Sequence, residues 1–155
     1  MATTIVPYDL IVTITESYSL NGVDYGNTMN KTYTSTGQVS QRVMSIAGKA
    51  AEGTTWTNIL ALTTVDGQGQ VVKNDYQYFR ITNLDTVNTL NLRVYNGADY
   101  VVAEVSPASS LLLMDAGIDA TTASSAVTFA DIQAIAGQSS STTEAIDVEF
   151  IMVTT

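Results

Sequence analysis

Short runs in which apolar and polar residues alternate fill the second half of the chain. Leu90, Leu92 and Val94 alternate with polar or aromatic neighbours, and an Asn-Gly pair at 96–97, a strong hairpin signal, follows them. Residues 146–153 begin in the same way at the end of the chain. A period of two places every second side chain on one face of a β-strand, whereas a helix repeats every 3.6 residues. The pattern therefore predicts strands joined by tight turns.

The first half of the chain carries the same signals at lower density. Leu10, Val12 and Ile14 alternate with their neighbours, and Asn-Gly at 21–22 predicts a two-residue hairpin turn. Trp56, Leu60 and Leu62 lie at positions that share one face of a regular strand. We expect strands over residues 10–15, 31–35, 38–47, 55–64, 76–82, 90–95, 100–105, 111–114 and 146–153, with the strand over 38–47 at a sheet edge.

These strands define the fold class. Roughly eight to ten short strands, separated by turn signals every 8–12 residues or so, are typical of a β-sandwich and not of alternating β-α-β units. We predict an all-β protein, an antiparallel sandwich of the jelly-roll kind, forming a single domain over residues 1–155. A chain of 155 residues buries enough surface for its own core.

One helix is predicted, over residues 128–137. Thr128 is a suitable N-cap, Asp131 lies three residues later, and Gly137 is a suitable C-terminal stop. Phe129, Ile132 and Ala136 would share one side of this helix. The Thr-, Ser- and Ala-rich interval before it, residues 116–127, is predicted to be a loop.

Composition narrows the functional classes. The net charge is −9 with only six basic residues, which are scattered, so the sequence predicts no nucleic-acid partner. The absence of His and Cys removes the usual general base, thiol nucleophile and transition-metal ligands. No apolar run approaches 18 residues and the N-terminus lacks a signal-peptide pattern, so we expect no membrane partner. We predict a protein that is not an enzyme, with no catalytic, cofactor-binding or metal-binding residues.

Some residues carry a functional interpretation beside a structural one. Asp147 and Glu149 share a strand face, as a glycosidase pair would, but the alternation places them on the solvated side. Trp56 suits a ligand platform or an anchor in a core or interface. Tyr18, Tyr25 and Tyr33 suit an aromatic surface or ordinary packing on a sheet. Six acidic residues lie in predicted loops, namely Asp66, Asp75, Asp85, Asp99, Asp115 and Asp119. They suit either a calcium site assembled in three dimensions or turns that are stabilised by the acidic side chains themselves.

The second half of the chain also resembles a known kind of protein. The segments YFRITNLDTVNTLNLRV (78–94), SPASSLLLMD (106–115), ADIQAIAG (130–137) and IDVEFIMV (146–153) are similar to the small β-sandwich virion proteins of tailed bacteriophages, particularly capsid decoration (cement) proteins. The earlier segment NKTYTSTGQVSQRVMSI (30–46) is similar to them too. The resemblance covers about two-thirds of the chain and concerns a fold, without catalytic residues to transfer.

The resemblance implies a role and a partner. Such proteins bind the outer surface of the assembled major capsid protein, often as symmetric homo-oligomers, here a dimer or trimer. The expected location is the virion, at the capsid surface, after synthesis in the host cytoplasm. Two alternatives stay open: another virion subunit of the tail tube, tail or fibre, and a carbohydrate-binding module that uses Trp56 and the tyrosines. The expected working surface is the polar N-terminal half, together with any edge strand that residues 146–153 present.

Overall fold

The computed structural model describes residues 8–49, 56–63, 71–72, 76–97, 100–114, 117–118 and 130–154. These residues form strands and turns without a helix, so the predicted all-β class is confirmed. The chain divides into two compact units, one formed by residues 1–38 with 155 and the other by residues 39–154. The expectation of one domain over 1–155 stays a prediction.

The first unit is a long β-hairpin. Its strands are β1 (Tyr8–Glu16), β2 (Ser19–Leu20), β3 (Val23–Asp24) and β4 (Asn27–Thr36). β1 pairs antiparallel with β4, and β2 pairs with β3 at the tip. Leu10, Val12 and Ile14 are half-buried while the residues between them are exposed, which confirms the alternation read from the sequence.

The second unit contains the remaining strands. These are β5 (Gln38–Ile46), β6 (Thr57–Thr63), β7 (Val71–Val72), β8 (Tyr76–Asn83), β9 (Leu90–Tyr95), β10 (Tyr100–Val105), β11 (Ser110–Met114), β12 (Gly117–Ile118), β13 (Ala130–Asp131), β14 (Ala134–Ser139) and β15 (Ile146–Thr154). One sheet has the order β10-β9-β14-β6-β7, and a second has the order β11-β8-β15-β5. β7 pairs parallel with β6. The pairs β10–β9, β9–β14, β14–β6, β11–β8 and β8–β15 are antiparallel.

The eight longer strands of this unit pair in a nested order. The first pairs with the eighth (β5 with β15), the second with the seventh (β6 with β14), the third with the sixth (β8 with β11), and the fourth with the fifth (β9 with β10). This nesting is the double Greek key of a jelly roll, in which a long hairpin of paired strands folds over on itself. The predicted jelly-roll type of sandwich is thus confirmed within the second unit.

The core consists of the inward side chains of both sheets. Phe79, Ile81, Leu92 and Val148 are fully buried, and the Phe79 ring stacks on Phe150 with 6.0 Å between ring centroids. Burying each such side chain contributes about 1.5–3 kcal/mol. The nested pairing brings these residues together although they are distant along the chain.

The predicted helix over 128–137 is wrong for the residues that the structure describes. Ala134–Ser139 forms β14, which lies between β9 and β6 and pairs with both. Gly137 belongs to the strand interior, where a Cβ would lie 3.0 Å from the side-chain ends of Ile59 and Leu90. Sheet pairing on both sides satisfies the backbone groups of this segment, and that outweighs a capping signal too short to stabilise a helix alone. Thr128 and Phe129 lie outside the described residues.

A bulge in β6 changes which face its residues occupy. Ile135 pairs with Leu60, but the next residue, Ala136, pairs with Asn58, so Ile59 is an extra residue in the ladder. An extra residue shifts the alternation by one. Leu60 and Leu62 pack against the core as predicted, while Trp56 lies on the outer face beside Arg93, so the predicted register was wrong for Trp56.

β15 becomes more deeply buried towards its end. Ile146 and Val148 are buried while Asp147 is exposed, and Met152, Val153 and Thr154 are all buried. The strand thus passes from half-buried to fully covered. The strand lies between β8 and β5, however, so the expectation that it presents a sheet edge was wrong. β5 forms that edge, as predicted.

Candidate interaction surfaces

The tip of the first unit carries an exposed apolar face. Asn21 and Gly22 both have positive φ, at 52° and 79°, which is the two-residue hairpin turn expected of Asn-Gly. Leu20 lies opposite Val23, and the next residues on that face are Tyr18 and Tyr25. These four side chains are between 49% and 59% exposed. We call them the tip cluster.

Two contacts give the tip cluster a defined shape. The Tyr18 and Tyr25 rings stack with 5.6 Å between centroids and 13° between planes. The Tyr25 backbone N–H donates to the Tyr18 carbonyl at 3.0 Å, and the Gly26 N–H donates to the Asp24 carboxylate at 2.8 Å. Stacked tyrosines have few rotatable bonds to immobilise and can contact a partner with ring and hydroxyl together. The geometry is that of a binding surface, without a nucleophile or an acid–base pair.

Tyr33 lies apart from this cluster. It is on β4, opposite Leu10, and is buried, with the Lys31 ammonium 5.2 Å from its ring centroid. Of the three tyrosines read together from the sequence, Tyr18 and Tyr25 thus form the aromatic surface while Tyr33 packs on a sheet.

A second surface lies on the outer face of the five-stranded sheet. The Arg93 guanidinium lies between two rings, 5.0 Å from the centroid of Trp56 and 5.5 Å from that of Tyr100. Such cation–π contacts contribute about 0.5–1 kcal/mol each when exposed. Arg93 has no carboxylate partner among the described residues. Sequence reasoning missed this arrangement because the β6 bulge, which turns Trp56 outward, has no clear signal in the sequence.

The Asp147 and Glu149 pair has a structural role on the opposite sheet. Glu149 accepts hydrogen bonds from Arg80 at 2.9 Å and from Gln41 at 2.6 Å, which ties β15 to β8 and β5. Asp147 is exposed. Asp147 is therefore solvated as expected, whereas Glu149 is half-buried in its contacts with Arg80 and Gln41.

Burial raises the pKa of the Tyr78 hydroxyl above its usual value of 10.0, and the positive charge of Arg80 partly opposes that rise. Tyr78 thus stays neutral at physiological pH.

The loop acids divide into described and undescribed residues. Asp85 accepts hydrogen bonds from the backbone N–H groups of Val87 at 2.7 Å and Asn88 at 2.6 Å, which is the turn-stabilising interpretation. The other five, Asp66, Asp75, Asp99, Asp115 and Asp119, lie outside the described residues. Within the part that is described, no three His, Cys, Asp or Glu side chains are grouped as a metal site would require.

No protein-family model, curated protein or solved structure matches this chain. Across the described ranges there is also no helix with the length and apolar character needed to cross a bilayer. The interpretation of the site therefore depends on its own geometry.

Proposed function

We propose that this protein is a structural virion protein that binds the outer surface of a bacteriophage capsid and stabilises the shell, as decoration proteins do. The observation that carries the proposal is the tip cluster, an exposed apolar face at the end of the hairpin that forms the first unit. The jelly roll of the second unit supports it, because that architecture is common among viral capsid proteins. The resemblance of the second half of the chain to decoration proteins supports it further.

The chemistry of the tip suits an interface with the major capsid protein. Tyrosine is enriched where interfaces gain most of their affinity, and Leu20 and Val23 add apolar area beside the rings. Each contact is small, but a protein bound as an oligomer on a repeating lattice gains avidity from several contacts at once. Binding to a shell therefore requires neither a deep pocket nor a charged groove.

A binding assay on shells tests this function. Purified protein is added to capsids that lack it, and both co-sedimentation and the resistance of the shell to heat are measured. The Tyr18→Ser, Tyr25→Ser double variant should bind about tenfold more weakly or worse, since it removes both rings. Ile11→Ser is the matched control, because Ile11 is an exposed apolar residue on the same hairpin away from the tip. Equal binding by both variants would show that the capsid contacts a surface other than the tip cluster. Absence of binding by the unaltered protein would reject the proposal.

Antibody labelling of intact particles separates the capsid role from its virion alternative. Labels on the shell agree with decoration, whereas labels along the tail or its fibres indicate a tail subunit. The carbohydrate-binding alternative has less support, because the Trp56 ring contacts Arg93. The carbohydrate-binding alternative would gain support if the protein gave a signal on a glycan array and Trp56→Ala abolished that signal.

A further inference from the structure

β10 forms one edge of the five-stranded sheet. It pairs with β9 through six consecutive residue pairs without a bulge, and no other described strand pairs with it. Natural edge strands are usually protected by Lys, Pro, a bulge or an inward charge. β10 has the sequence YVVAEV, with Glu104 as its single charged residue. Its outer backbone groups are thus arranged for pairing with another strand.

The first half of this strand is exposed on both faces, whereas Ala103 is half-buried and Val105 is buried in the core. Tyr100 and Val102 point to the outer face, and Val101 points to the face of Val94; they are 59%, 46% and 50% exposed. The core thus covers the inner face only at the Val105 end of the strand, and residues 100–102 are open on both faces. By comparison, the edge strand β5 presents exposed Gln41 and Arg42 together with exposed Val39 and Val43. The β10 edge is the more apolar of the two.

We propose that a second copy of this chain covers that edge, with the two β10 strands antiparallel about a two-fold axis. The two five-stranded sheets would then form one continuous sheet across the dimer. This proposal is independent of the capsid role, because it concerns the purified protein alone.

Symmetry restricts the register of such a pair. An antiparallel two-fold axis must be perpendicular to the sheet, so one residue has to lie opposite its own copy. With Val102 on the axis, Val102 faces Val102, Tyr100 faces Glu104 of the second copy, and Val101 faces Ala103. These pairs combine β-branched side chains at the centre with an aromatic ring beside a carboxylate on each side.

The charges of the strand favour a second copy as the occupant. Arg93 contacts the Tyr100 ring and has no acidic partner among the described residues. In the Val102 register, Glu104 of the second copy lies opposite Tyr100, whose ring centroid is 5.5 Å from the Arg93 guanidinium. The two-fold axis repeats the contact, so the dimer contains it twice. An unrelated peptide would need a carboxylate at the position opposite Tyr100. A second copy of β10 provides that carboxylate through Glu104.

Sedimentation of the purified full-length protein over a range of concentrations tests the dimer. We expect a concentration-dependent dimer, and we expect Val102→Lys to raise its dissociation constant about tenfold or more, because two ammonium groups would meet at the axis. Val87→Lys is the matched control, since it makes the same charge change at a residue that is 77% exposed in the turn after β8. Circular dichroism confirms that both variants are folded.

Single-cysteine cross-linking tests the register. The chain contains no cysteine, so one introduced thiol can pair only with its copy. Residues opposite each other in a sheet have the spacing that a disulfide requires. Val102→Cys should form a covalent dimer rapidly under mild oxidation, and Val87→Cys should not.

Three outcomes would overturn the proposal: a protein that is monomeric up to about 100 µM, a dimer that Val102→Lys leaves unchanged, or equal cross-linking of the two cysteine variants. A dimer that fails to bind shells would reject the capsid role and leave this inference intact, so the two failures are distinguishable.

Discussion

Asn83 shows how one buried polar side chain organises a turn. It is fully buried at the end of β8, and its side-chain amide donates to the carbonyls of Asn88 at 2.9 Å and Val105 at 3.1 Å. Its carbonyl oxygen accepts the Asp85 N–H at 3.1 Å. One residue thus connects the turn after β8 to the end of β10. The sequence alone marked this segment as a turn without showing its tertiary partners.

We predict that Asn83→Leu lowers the free energy of unfolding by about 2–4 kcal/mol, because it leaves main-chain groups buried without partners. Chemical denaturation monitored by fluorescence of the single tryptophan measures the change. Thr86→Ala, an exposed substitution in the same turn, should shift stability by no more than about 0.5 kcal/mol. A comparable effect of both substitutions would contradict this account of Asn83.

Asp85 gives the same turn a dependence on pH. The N–H groups of Asn88 and Val87 stabilise its carboxylate and lower its pKa below the usual 3.8. Because the pKa is lower in the folded state, this stabilisation is complete above pH 4 or so and is lost as pH falls through the folded value. Asp85→Asn should therefore flatten the decline in stability as the pH falls below about 4. Denaturation series at several pH values test this, and an unchanged slope would count against it.

At the scale of elements, β14 is the strand whose identity depended on its neighbours. Its sequence, AIAGQS, has weak strand propensity, and its first four residues coincide with the end of the helix predicted over 128–137. Its position between β9 and β6 gives it hydrogen-bond partners on both sides. Gly137 is buried there because Leu90 and Ile59 approach the space that a side chain would occupy.

We predict that Gly137→Val destabilises the protein by about 2–3 kcal/mol, because three additional carbons must displace packed side chains. Ala134→Val, a half-buried site on the same strand, serves as the control and should cost less. The midpoint of thermal unfolding measures both. If residues 134–137 formed a helix, Gly137 would be its last residue. Gly137→Val would then not be expected to destabilise the protein more than Ala134→Val.

The whole molecule consists of two units that differ in how much core packing stabilises them. The second has two sheets around a shared core, whereas the first is a hairpin whose residues are mostly exposed. A two-stranded ribbon is marginally stable in water unless something packs on its apolar face. The first unit is therefore expected to open more easily than the second, which also suits a segment that orders against a partner.

We predict that backbone amides of β1 and β4 exchange with deuterium at least tenfold faster than those of β8, β14 and β15. Mass spectrometry of peptides after timed exchange measures the difference. Binding to a shell should slow exchange at residues 18–25 selectively, while dimer formation should slow it at residues 100–105. Uniform protection across both units would contradict the expected difference in stability.

The sequence by itself determined the all-β class, the sandwich type and most strand positions, because those depend on local alternation and on turn residues such as Asn21 and Gly22. It also indicated Tyr18 and Tyr25 as an aromatic surface. Only the tertiary structure decided that Ala134–Ser139 is a strand, that Trp56 faces outward and that β10 forms an apolar edge. Those features depend on pairing between residues far apart in the chain, and in such cases hydrogen bonds and packing from neighbouring strands outweigh local propensity.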